Sequence, residues 1–198
     1  MKTIGITGGV GAGKSLILQY LKDKYNAYVC PADEVAHILE AKGQDCYNSL
    51  TRCFGEIILD DNLEIDRQKF AALIFGNPEM LEKANAIIHP AVKKYILDSI
   101  ETEKSKGTKY FILEAALLLE EGYDKILDEI WYIYAGENTR RRRLKESRGY
   151  SDEKIDAIFS KQLTEEEYRS GCKYVLNNDD TPDKVKKEID ILLSNGAE

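Results

Sequence analysis

The sequence predicts an α/β fold, in which a five-stranded, mainly parallel sheet carries helices on both of its faces. Three observations support this prediction. Short apolar runs of strand length alternate with longer segments of helical periodicity. The first apolar run leads through a glycine-rich loop directly into a helical segment. With 198 residues, of which 43% are hydrophobic and 32% charged, the chain can bury the core of one domain of ordinary size.

A strand–helix–strand unit begins the chain. We predict a buried strand from Lys2 to Thr7, an amphipathic helix from Lys14 to Lys24 and a second strand from Ala27 to Cys30. Such a unit joins parallel strands by a right-handed crossover, so we expect these two strands to make the first pairing of the sheet. The segment Pro31-Ala32-Asp33 closes the second strand, which would place Asp33 about one strand spacing from the glycine-rich loop.

A helical stretch from about 34 to 107 then interrupts the strand pattern. Apolar residues recur at helical spacing in the runs Phe70 to Ile74 and Leu81 to Ile88. Turn signals at Gly76-Asn77-Pro78 and at His89-Pro90 are expected to separate the helices. We interpret the stretch as a helical insertion over the rim of the sheet.

The remaining strands are predicted from apolar runs in the second half of the chain. They cover Tyr110 to Leu113, Glu129 to Tyr134 and Lys173 to Leu176. A last helix is predicted from Pro182 to Ser194. The core of a single domain would then comprise residues 1–33, 108–136 and 171–198.

The most informative segment is Gly8 to Ser15, which we call the P-loop. It matches the pattern G-x-x-x-x-G-K-S of phosphate-binding loops and stands between a strand and a helix, as that motif requires. Its glycines let backbone N–H groups form an anion-binding nest, to which the positive end of the helix dipole adds. We therefore predict a fold like that of the P-loop NTPases, with Lys14 on the β- and γ-phosphates and Ser15 on Mg²⁺. A glycine-rich turn that binds nothing is the alternative. Nucleotide contacts are assigned to Gly9, Val10, Gly11, Ala12, Gly13, Lys14, Ser15 and Leu16.

Three carboxylates are candidates for chemistry at the carboxyl ends of the strands. Asp33 could accept the proton of an attacking hydroxyl group or hold Mg²⁺ through water, or it could be a helix N-cap. Glu114 follows the predicted strand that starts at Tyr110 and could face the metal, or it could be a solvated strand terminus. Glu120 would lie at the mouth of the same site.

Arg140 to Arg143 form a dense basic cluster in a chain whose net charge is −7. Four consecutive side chains of a helix point in different directions, so we expect one or two of them, including Arg143, to contact the transferring phosphate. A nucleic-acid patch is the alternative, against which the acidic balance of the chain argues. His89 could bind an acceptor or make a structural hydrogen bond. Asn178 could reach an adenine ring or belong to an ordinary turn.

Composition excludes several classes of protein. No apolar run approaches the roughly 18 residues that cross a bilayer, and Met1-Lys2 leads directly into the first predicted strand, so we expect a cytoplasmic protein without a signal peptide. None of the 4 cysteines stands in a C-x-x-C pair, and only 2 histidines accompany them, which argues against a zinc site or a disulfide framework.

Together these residues resemble the dephospho-coenzyme A kinase family over nearly the whole chain. The T-G-G-x-G-x-G-K-S loop is Thr7 to Ser15, and the D-A-D-x-x-A-R segment reads Pro31 to His37. An R-x-x-L-x-x-x-[IV]-F pattern recurs loosely from Arg67 to Phe75, and the H-P dipeptide is His89-Pro90. The P-L-L-F-E segment is matched by Ala116 to Glu120.

The resemblance implies transfer of the ATP γ-phosphoryl group to the 3′-hydroxyl of dephospho-coenzyme A, with Asp33 as the base. The insertion of about 34–107 would bind the acceptor, and residues of about 137–170 would form a mobile lid that excludes water. The lid arginines correspond to the region of Arg140 to Arg148, and Asn178 to the family's late asparagine. Substrate contacts are assigned to Asp33, His37, His89, Leu118, Glu120 and Gln162.

The chain departs from the family pattern at several positions. Pro31 and His37 replace an acid and an arginine, Ala116 and Leu119 replace a proline and a phenylalanine, and Ile158 stands where a lid arginine is expected. The alternatives are another P-loop nucleoside or small-molecule kinase, a nucleotide-binding switch, or a family member that binds without turnover. We expect a monomer or a weak homo-oligomer that interacts with neither nucleic acid nor membranes.

Overall fold

The apolar runs of the sequence form one sheet in the computed structural model, which describes residues 1–194. The strands are β1 (Lys2–Thr7), β2 (Tyr28–Pro31), β3 (Tyr110–Glu114), β4 (Glu129–Tyr134) and β5 (Tyr174–Asn177). Their order in the sheet is β2-β3-β1-β4-β5, and the pairings of β1 with β3, of β1 with β4 and of β4 with β5 are parallel. The predicted five-stranded α/β architecture is confirmed.

One predicted pairing is wrong. β3 lies between β1 and β2, so the two strands of the first strand–helix–strand unit are not neighbours. Asp33 therefore follows a strand that is two positions away from β1, the strand that leads into the P-loop. Burial explains the order. Phe111, Ile112 and Leu113 of β3 have no exposed surface, as an interior parallel strand requires, whereas three of the four residues of β2 are only partly buried, as suits an edge.

The helices cover most of the rest of the described chain. Within residues 1–194, none of them combines the length and the apolar character that a bilayer crossing requires. The α-helices are α1 (Lys14–Tyr25), α2 (Ala32–Leu39), α3 (Asp45–Phe54), α4 (Arg67–Ile74), α5 (Pro78–Ser105), α6 (Glu137–Arg148), α7 (Asp152–Phe159), α8 (Glu165–Gly171) and α9 (Pro182–Ser194).

The turn predicted at His89-Pro90 is wrong, because α5 continues through Pro90. A proline inside a helix costs about 3 kcal/mol. Ala84, Val92 and Ile96 are buried on α5 at multiples of four residues, before and after the proline, so they form an apolar stripe on one side of the helix. Burial of this stripe offsets the cost of the lost hydrogen bond.

The contacts divide the chain into two units. The first joins Met1–Val29 to the segment that begins at Glu103, and the second is Cys30–Thr102. In the first unit, α1 and α9 pack on the sheet through Ile17, Leu21 and Ile189, which have no exposed surface.

The second unit has a core of its own. Its residues come from α3, the short 3-10 turn Glu56–Ile58, α4 and α5, which correspond to the helical stretch predicted from periodicity. Leu50 and Ile58 are fully buried, and the rings of Phe54 and Phe70 meet edge to face with centroids 5.4 Å apart.

A buried carboxylate secures the amino-terminal edge of the sheet. Glu129, at the start of β4, accepts hydrogen bonds from Lys2 Nζ at 2.9 Å, Lys173 Nζ at 3.0 Å and the Trp131 indole at 2.9 Å. Burial raises the pKa of Glu129, but the hydrogen bonds from these three side chains outweigh it and hold the pKa below its ordinary value.

We expect Glu129→Ala to lower the free energy of unfolding by about 2–3 kcal/mol at pH 7, because it leaves the buried indole N–H of Trp131 without an acceptor. Since the folded-state pKa of Glu129 is lowered, its contribution is present above the ordinary pKa and is lost as the pH falls through the folded value. Urea unfolding at pH 7 and at low pH should therefore show a smaller difference between wild type and variant in acid. Glu79→Ala, at a side chain that is 72% exposed, is the control, and equal stability of the two variants at pH 7 would contradict the assignment.

Candidate active site

The P-loop connects β1 to α1 and brings the amino terminus of that helix to the carboxyl edge of the sheet. Gly13 is the N-cap of α1, with φ 89°, and no side chain caps this helix end in the described structure. The first turn of α1 contains no acidic residue. The positive end of the helix dipole is therefore left for an external anion.

Two glycines of the P-loop are required by close contacts as well as by backbone conformation. Gly11 has φ 85°, and a Cβ there would lie 2.9 Å from the carbonyl oxygen of Arg140. A Cβ on Gly13 would overlap the side-chain nitrogen of Asn178. Any other residue at these positions would push the loop away from its neighbours.

The side chain of Lys14 lies back over the P-loop. Its Nζ donates a hydrogen bond to the Gly8 carbonyl at 2.8 Å and lies 3.6 Å from Oε1 of Glu114. Glu114 ends β3 and pairs in register with Ile6, so the strand pairing brings this carboxylate to the start of the P-loop. Both side chains are more than four-fifths buried, with exposures of 16% and 18%. The structure thus brings together the two charges that the sequence predicted separately.

The four consecutive arginines of α6, Arg140 to Arg143, point in different directions, as the helical spacing predicts. Arg141 points to carboxylates, with ion pairs to Glu137 at 2.9 Å, Asp152 at 3.1 Å and Asp156 at 2.6 Å. Arg142 is exposed. The other two arginines, Arg140 and Arg143, reach the P-loop.

Arg140 lies against the first half of the loop. Its Nε donates to the Val10 carbonyl at 3.0 Å, and its Nη2 donates to Oε1 of Gln162. The guanidinium carbon lies 4.1 Å from the centre of the Phe159 ring on α7. Burial lowers the pKa of Arg140, although the group stays charged.

Arg143 and Asn178 hold the second half of the loop. Arg143 Nη1 lies 3.5 Å from the Gly11 carbonyl and 3.3 Å from the Ala12 carbonyl, and Nη2 donates to the Asn178 carbonyl at 2.8 Å. Asn178 is buried, and its Nδ2 donates to the Ala12 carbonyl at 2.7 Å. Asn178 was predicted to reach an adenine ring; its contact with the loop was not predicted, because Asn178 and Ala12 are 166 residues apart in the chain.

A cavity of about 380 Å³ adjoins the P-loop within the first unit. Glu120 and Gln162 line it, as does Leu117, which is 48% exposed. Leu118, for which a substrate contact was predicted, has no exposed surface and does not line this cavity, whereas its neighbour Leu117 does. The complete lining is Gly8, Val10, Lys14, Ala116, Leu117, Glu120, Lys154, Ala157, Ile158, Lys161, Gln162 and Tyr168.

The remaining predicted residues belong to the second unit. Asp33 is exposed in the first turn of α2, whose N-cap is Pro31, so the N-cap interpretation of Asp33 is wrong. His37 lies one turn further along the same face of α2, and its Nε2 contacts Nη1 of Arg67, the first residue of α4. His89 is half-buried within α5. Arg67 was not predicted as a site residue, although it is the first residue of the R-x-x-L pattern in the sequence.

The side chains around the P-loop were compared with the ligands that a metal ion requires. Among residues 1–194, no group of three or more His, Cys, Asp or Glu side chains could hold a metal ion by itself. Mg²⁺ is usually bound by one or two protein oxygens, with water and substrate phosphates completing its shell. The Ser15 hydroxyl and the Glu114 carboxylate are hard oxygen donors of this kind, so they fit Mg²⁺ that arrives with a nucleotide.

The chain is similar in sequence to known proteins over nearly its whole length. A family model described as dephospho-CoA kinase matches residues 2–183. A dephospho-CoA kinase from Geobacillus kaustophilus is 34% identical over 191 residues, which cover 96% of this chain and 94% of the relative.

Solved structures are similar in fold as well. TT1252 from Thermus thermophilus superposes with a TM-score of 0.84 and 27% identity, covering 100% of this chain and 98% of that one. A dephospho-CoA kinase from Campylobacter jejuni has a TM-score of 0.72 at 21% identity, covering 98% and 97% of the two chains, and shows that the fold is shared. The predicted P-loop fold is confirmed.

Proposed function

The chain belongs to the dephospho-CoA kinase family, and from this premise we propose which residues transfer the γ-phosphoryl group of ATP to the 3′-hydroxyl of dephospho-CoA. As a member of this family it is an ATP-dependent kinase of coenzyme A biosynthesis. The observation that carries the proposal is the P-loop between β1 and α1, with Lys14 Nζ 2.8 Å from its first carbonyl oxygen.

Lys14 is proposed to bind the β- and γ-phosphates. In the described structure its ammonium group is held by the Gly8 carbonyl and lies near Glu114. A phosphate oxygen is a stronger acceptor than a carbonyl, so the ammonium group would turn to the nucleotide when it binds. The cavity beside the loop is also lined by Lys154 and Lys161. We propose that these lysines neutralise charge on the phosphates, since developing charge in a partly enclosed site is stabilised by positioned cations.

Ser15 and Glu114 are proposed to hold Mg²⁺, with Asp33 contributing through water. When bound, Mg²⁺ neutralises charge on the β- and γ-phosphates. The hydroxyl of Ser15 is presented by the first turn of α1, and Glu114 by the end of β3. Both elements are anchored by buried apolar residues, which support a fixed position for these two oxygens.

Asp33 is proposed as the base, from its place in the family motif. It would accept the proton of the 3′-hydroxyl as the oxygen of that group bonds to the γ-phosphorus and the bond to the β-phosphate oxygen breaks. The pair of His37 and Arg67 belongs to the same helical unit as Asp33. Because dephospho-CoA carries a diphosphate and Arg67 supplies a permanent cation, we propose that this pair, with His89, binds the acceptor.

We also propose roles for two longer segments of the chain. Residues of about 34–107 would bind the acceptor, and residues of about 137–170 would form the lid. Gln162 supports the lid role, because it lines the cavity and accepts a hydrogen bond from Arg140. We further propose a cytoplasmic monomer or weak homo-oligomer that acts on small molecules, and the net charge of −7 supports the absence of a nucleic-acid partner.

An acceptor panel tests the function. Purified protein with Mg-ATP is assayed for ADP release alone, with dephospho-CoA, and with nucleosides, shikimate and other small alcohols. We expect ADP release to depend on dephospho-CoA and the product to be phosphorylated at the 3′-hydroxyl. Release with another acceptor only would indicate a different small-molecule kinase, and slow release that no acceptor alters would indicate a nucleotide switch.

Ser15→Ala should raise the Mg²⁺ concentration required for half-maximal activity by about ten-fold, because it removes one oxygen ligand. The measurement is activity against Mg²⁺ concentration, together with ADP affinity by calorimetry with and without Mg²⁺. Ser15→Thr keeps the hydroxyl group and is the matched control. An unchanged Mg²⁺ requirement in the alanine variant would remove Ser15 from the metal site.

A further inference from the structure

The carbonyl groups on one side of the P-loop are held by side chains from distant segments. The Val10 carbonyl accepts from Arg140 at 3.0 Å. The Ala12 carbonyl accepts from Asn178 at 2.7 Å and from Arg143 at 3.3 Å, and the Gly11 carbonyl lies 3.5 Å from Arg143. Three consecutive carbonyl oxygens of the loop are thus satisfied by two guanidinium groups and one amide.

These contacts constrain the N–H groups of the loop. The C=O and N–H groups of one peptide unit point in opposite directions within a plane. When the carbonyls of Val10 and Ala12 are held, the N–H groups of Gly11 and Gly13 are fixed in the opposite direction. A charged donor on a carbonyl also polarises the peptide unit, which makes its N–H a better donor. The contacts therefore both orient and strengthen the anion-binding face of the loop.

Arg143 and Asn178 act as one unit in this arrangement. Arg143 Nη2 donates to the Asn178 carbonyl at 2.8 Å, while both side chains contact the Ala12 carbonyl. The backbone of Asn178 is anchored in turn, because its N–H donates to the Tyr134 carbonyl at 2.8 Å. Asn178 is only 3% exposed, so its amide is held in place by packing as well as by hydrogen bonds. The cluster joins α6, the turn after β5 and the P-loop.

We propose that Arg143 and Asn178 are positioning residues, which hold the P-loop in its phosphate-binding conformation before the nucleotide arrives. Arg143 then stabilises the bound phosphates through the loop, without touching the transferring group. This differs from the direct contact with the transferring phosphate that the sequence alone suggested for Arg143. The inference rests on the proposed function in one respect, namely that the loop binds the phosphates of ATP.

The first test compares Arg143→Ala with Arg142→Ala, an exposed neighbour on the same helix. Hydrogen–deuterium exchange of the nucleotide-free protein should be faster in the peptide covering residues 8–16 of Arg143→Ala alone. ADP, which has no γ-phosphate, should bind about ten-fold more weakly, since a charged hydrogen bond is worth about 1.5–3 kcal/mol. KM for ATP should rise by a similar factor, whereas kcat changes by less than about three-fold. Arg143→Lys keeps the charge and should recover part of the affinity.

The second test uses Asn178. Asn178→Ala removes the hydrogen bond to Ala12, whereas the nearly isosteric Asn178→Asp places a carboxylate against that carbonyl oxygen. ADP affinity should therefore fall further in the aspartate variant than in the alanine variant. Because the two side chains share the Ala12 carbonyl, the losses in Arg143→Ala and Asn178→Ala should not add in the double variant.

A specific set of results would overturn the proposal. If Arg143→Ala lowers kcat while exchange in residues 8–16 and ADP affinity match those of Arg142→Ala, Arg143 touches the transferring group instead. If circular dichroism shows that Arg143→Ala is unfolded, the same readouts on Arg143→Lys decide the question. Hydrogen–deuterium exchange and ADP affinity are measured without dephospho-CoA, so loss of the proposed function in the acceptor panel would leave these two readouts intact, and the two failures can be told apart.

Discussion

Lys14→Ala is expected to lower kcat/KM by about 10³-fold and to weaken ATP binding measurably, because it removes the cation proposed to hold the β- and γ-phosphates. The substitution should weaken ATP binding for a second reason as well. Glu114 Oε1 lies 3.6 Å from Lys14 Nζ, so removal of the ammonium group leaves a carboxylate facing the phosphates. Calorimetric titration with ATP and a coupled assay of ADP release measure the two effects separately.

The control for this prediction is Lys22→Ala, at an exposed position of the same helix, which should change neither quantity. In titrations without Mg²⁺, the double variant Lys14→Ala, Glu114→Gln should recover part of the lost ATP affinity, because it also removes the repelling charge. An ATP titration of Lys14→Ala that matched wild type would contradict the assignment of the P-loop itself.

Asp33→Asn is expected to lower kcat by about 10²-fold or more while leaving ATP affinity nearly intact. The amide keeps the size of the side chain but cannot accept the proton of the 3′-hydroxyl. Because Asp33 is exposed in the first turn of α2 and its side chain does not cap that helix, the substitution should leave the unfolding free energy within about 0.5 kcal/mol of wild type. Single-turnover kinetics separate the chemical step from binding.

Glu34→Gln, at the next exposed position of the same turn, is the matched variant for Asp33→Asn. It removes one negative charge from the amino-terminal end of α2 and should leave turnover within a few-fold of wild type. If both substitutions lowered kcat equally, the effect would come from local charge and not from proton transfer. Full turnover in Asp33→Asn would remove Asp33 from the role of base.

Elements with clearly marked ends were predicted accurately. The bounds of β1 and β4, which have apolar interiors between polar ends, match the sequence prediction residue for residue, as do those of α9, whose buried residues recur at every fourth position. β2 and β5 are shifted by one residue, where the apolar signal is weaker and turn residues adjoin the strand. The turn at His89-Pro90 was wrong because a local breaker signal is outweighed by burial of residues on both sides of it.

The residues of the candidate site also differ in whether the sequence could predict them. Residues of the P-loop could be predicted because a short contiguous segment contains the turn, the anion-binding amides and the start of the helix. The contacts of Arg143 and Asn178 with Ala12 span 131 and 166 residues of sequence, so no local pattern reports them. Leu117 and Leu118 are equally apolar neighbours, and only packing decides that Leu117 faces the cavity while Leu118 is buried.

The sequence by itself determined the α/β class, the positions of the strands to within one residue, the first and last helices, and a phosphate-binding loop that ends in Lys14 and Ser15. These properties depend on hydrophobic periodicity and on backbone chemistry within a few residues. Only the tertiary structure decided the order of the strands, the partners of Arg140 to Arg143, and the side chains that hold the carbonyl groups of the P-loop. These features depend on which apolar surfaces bury one another most completely. The free energy of this burial comes from contacts between segments that are distant in the chain.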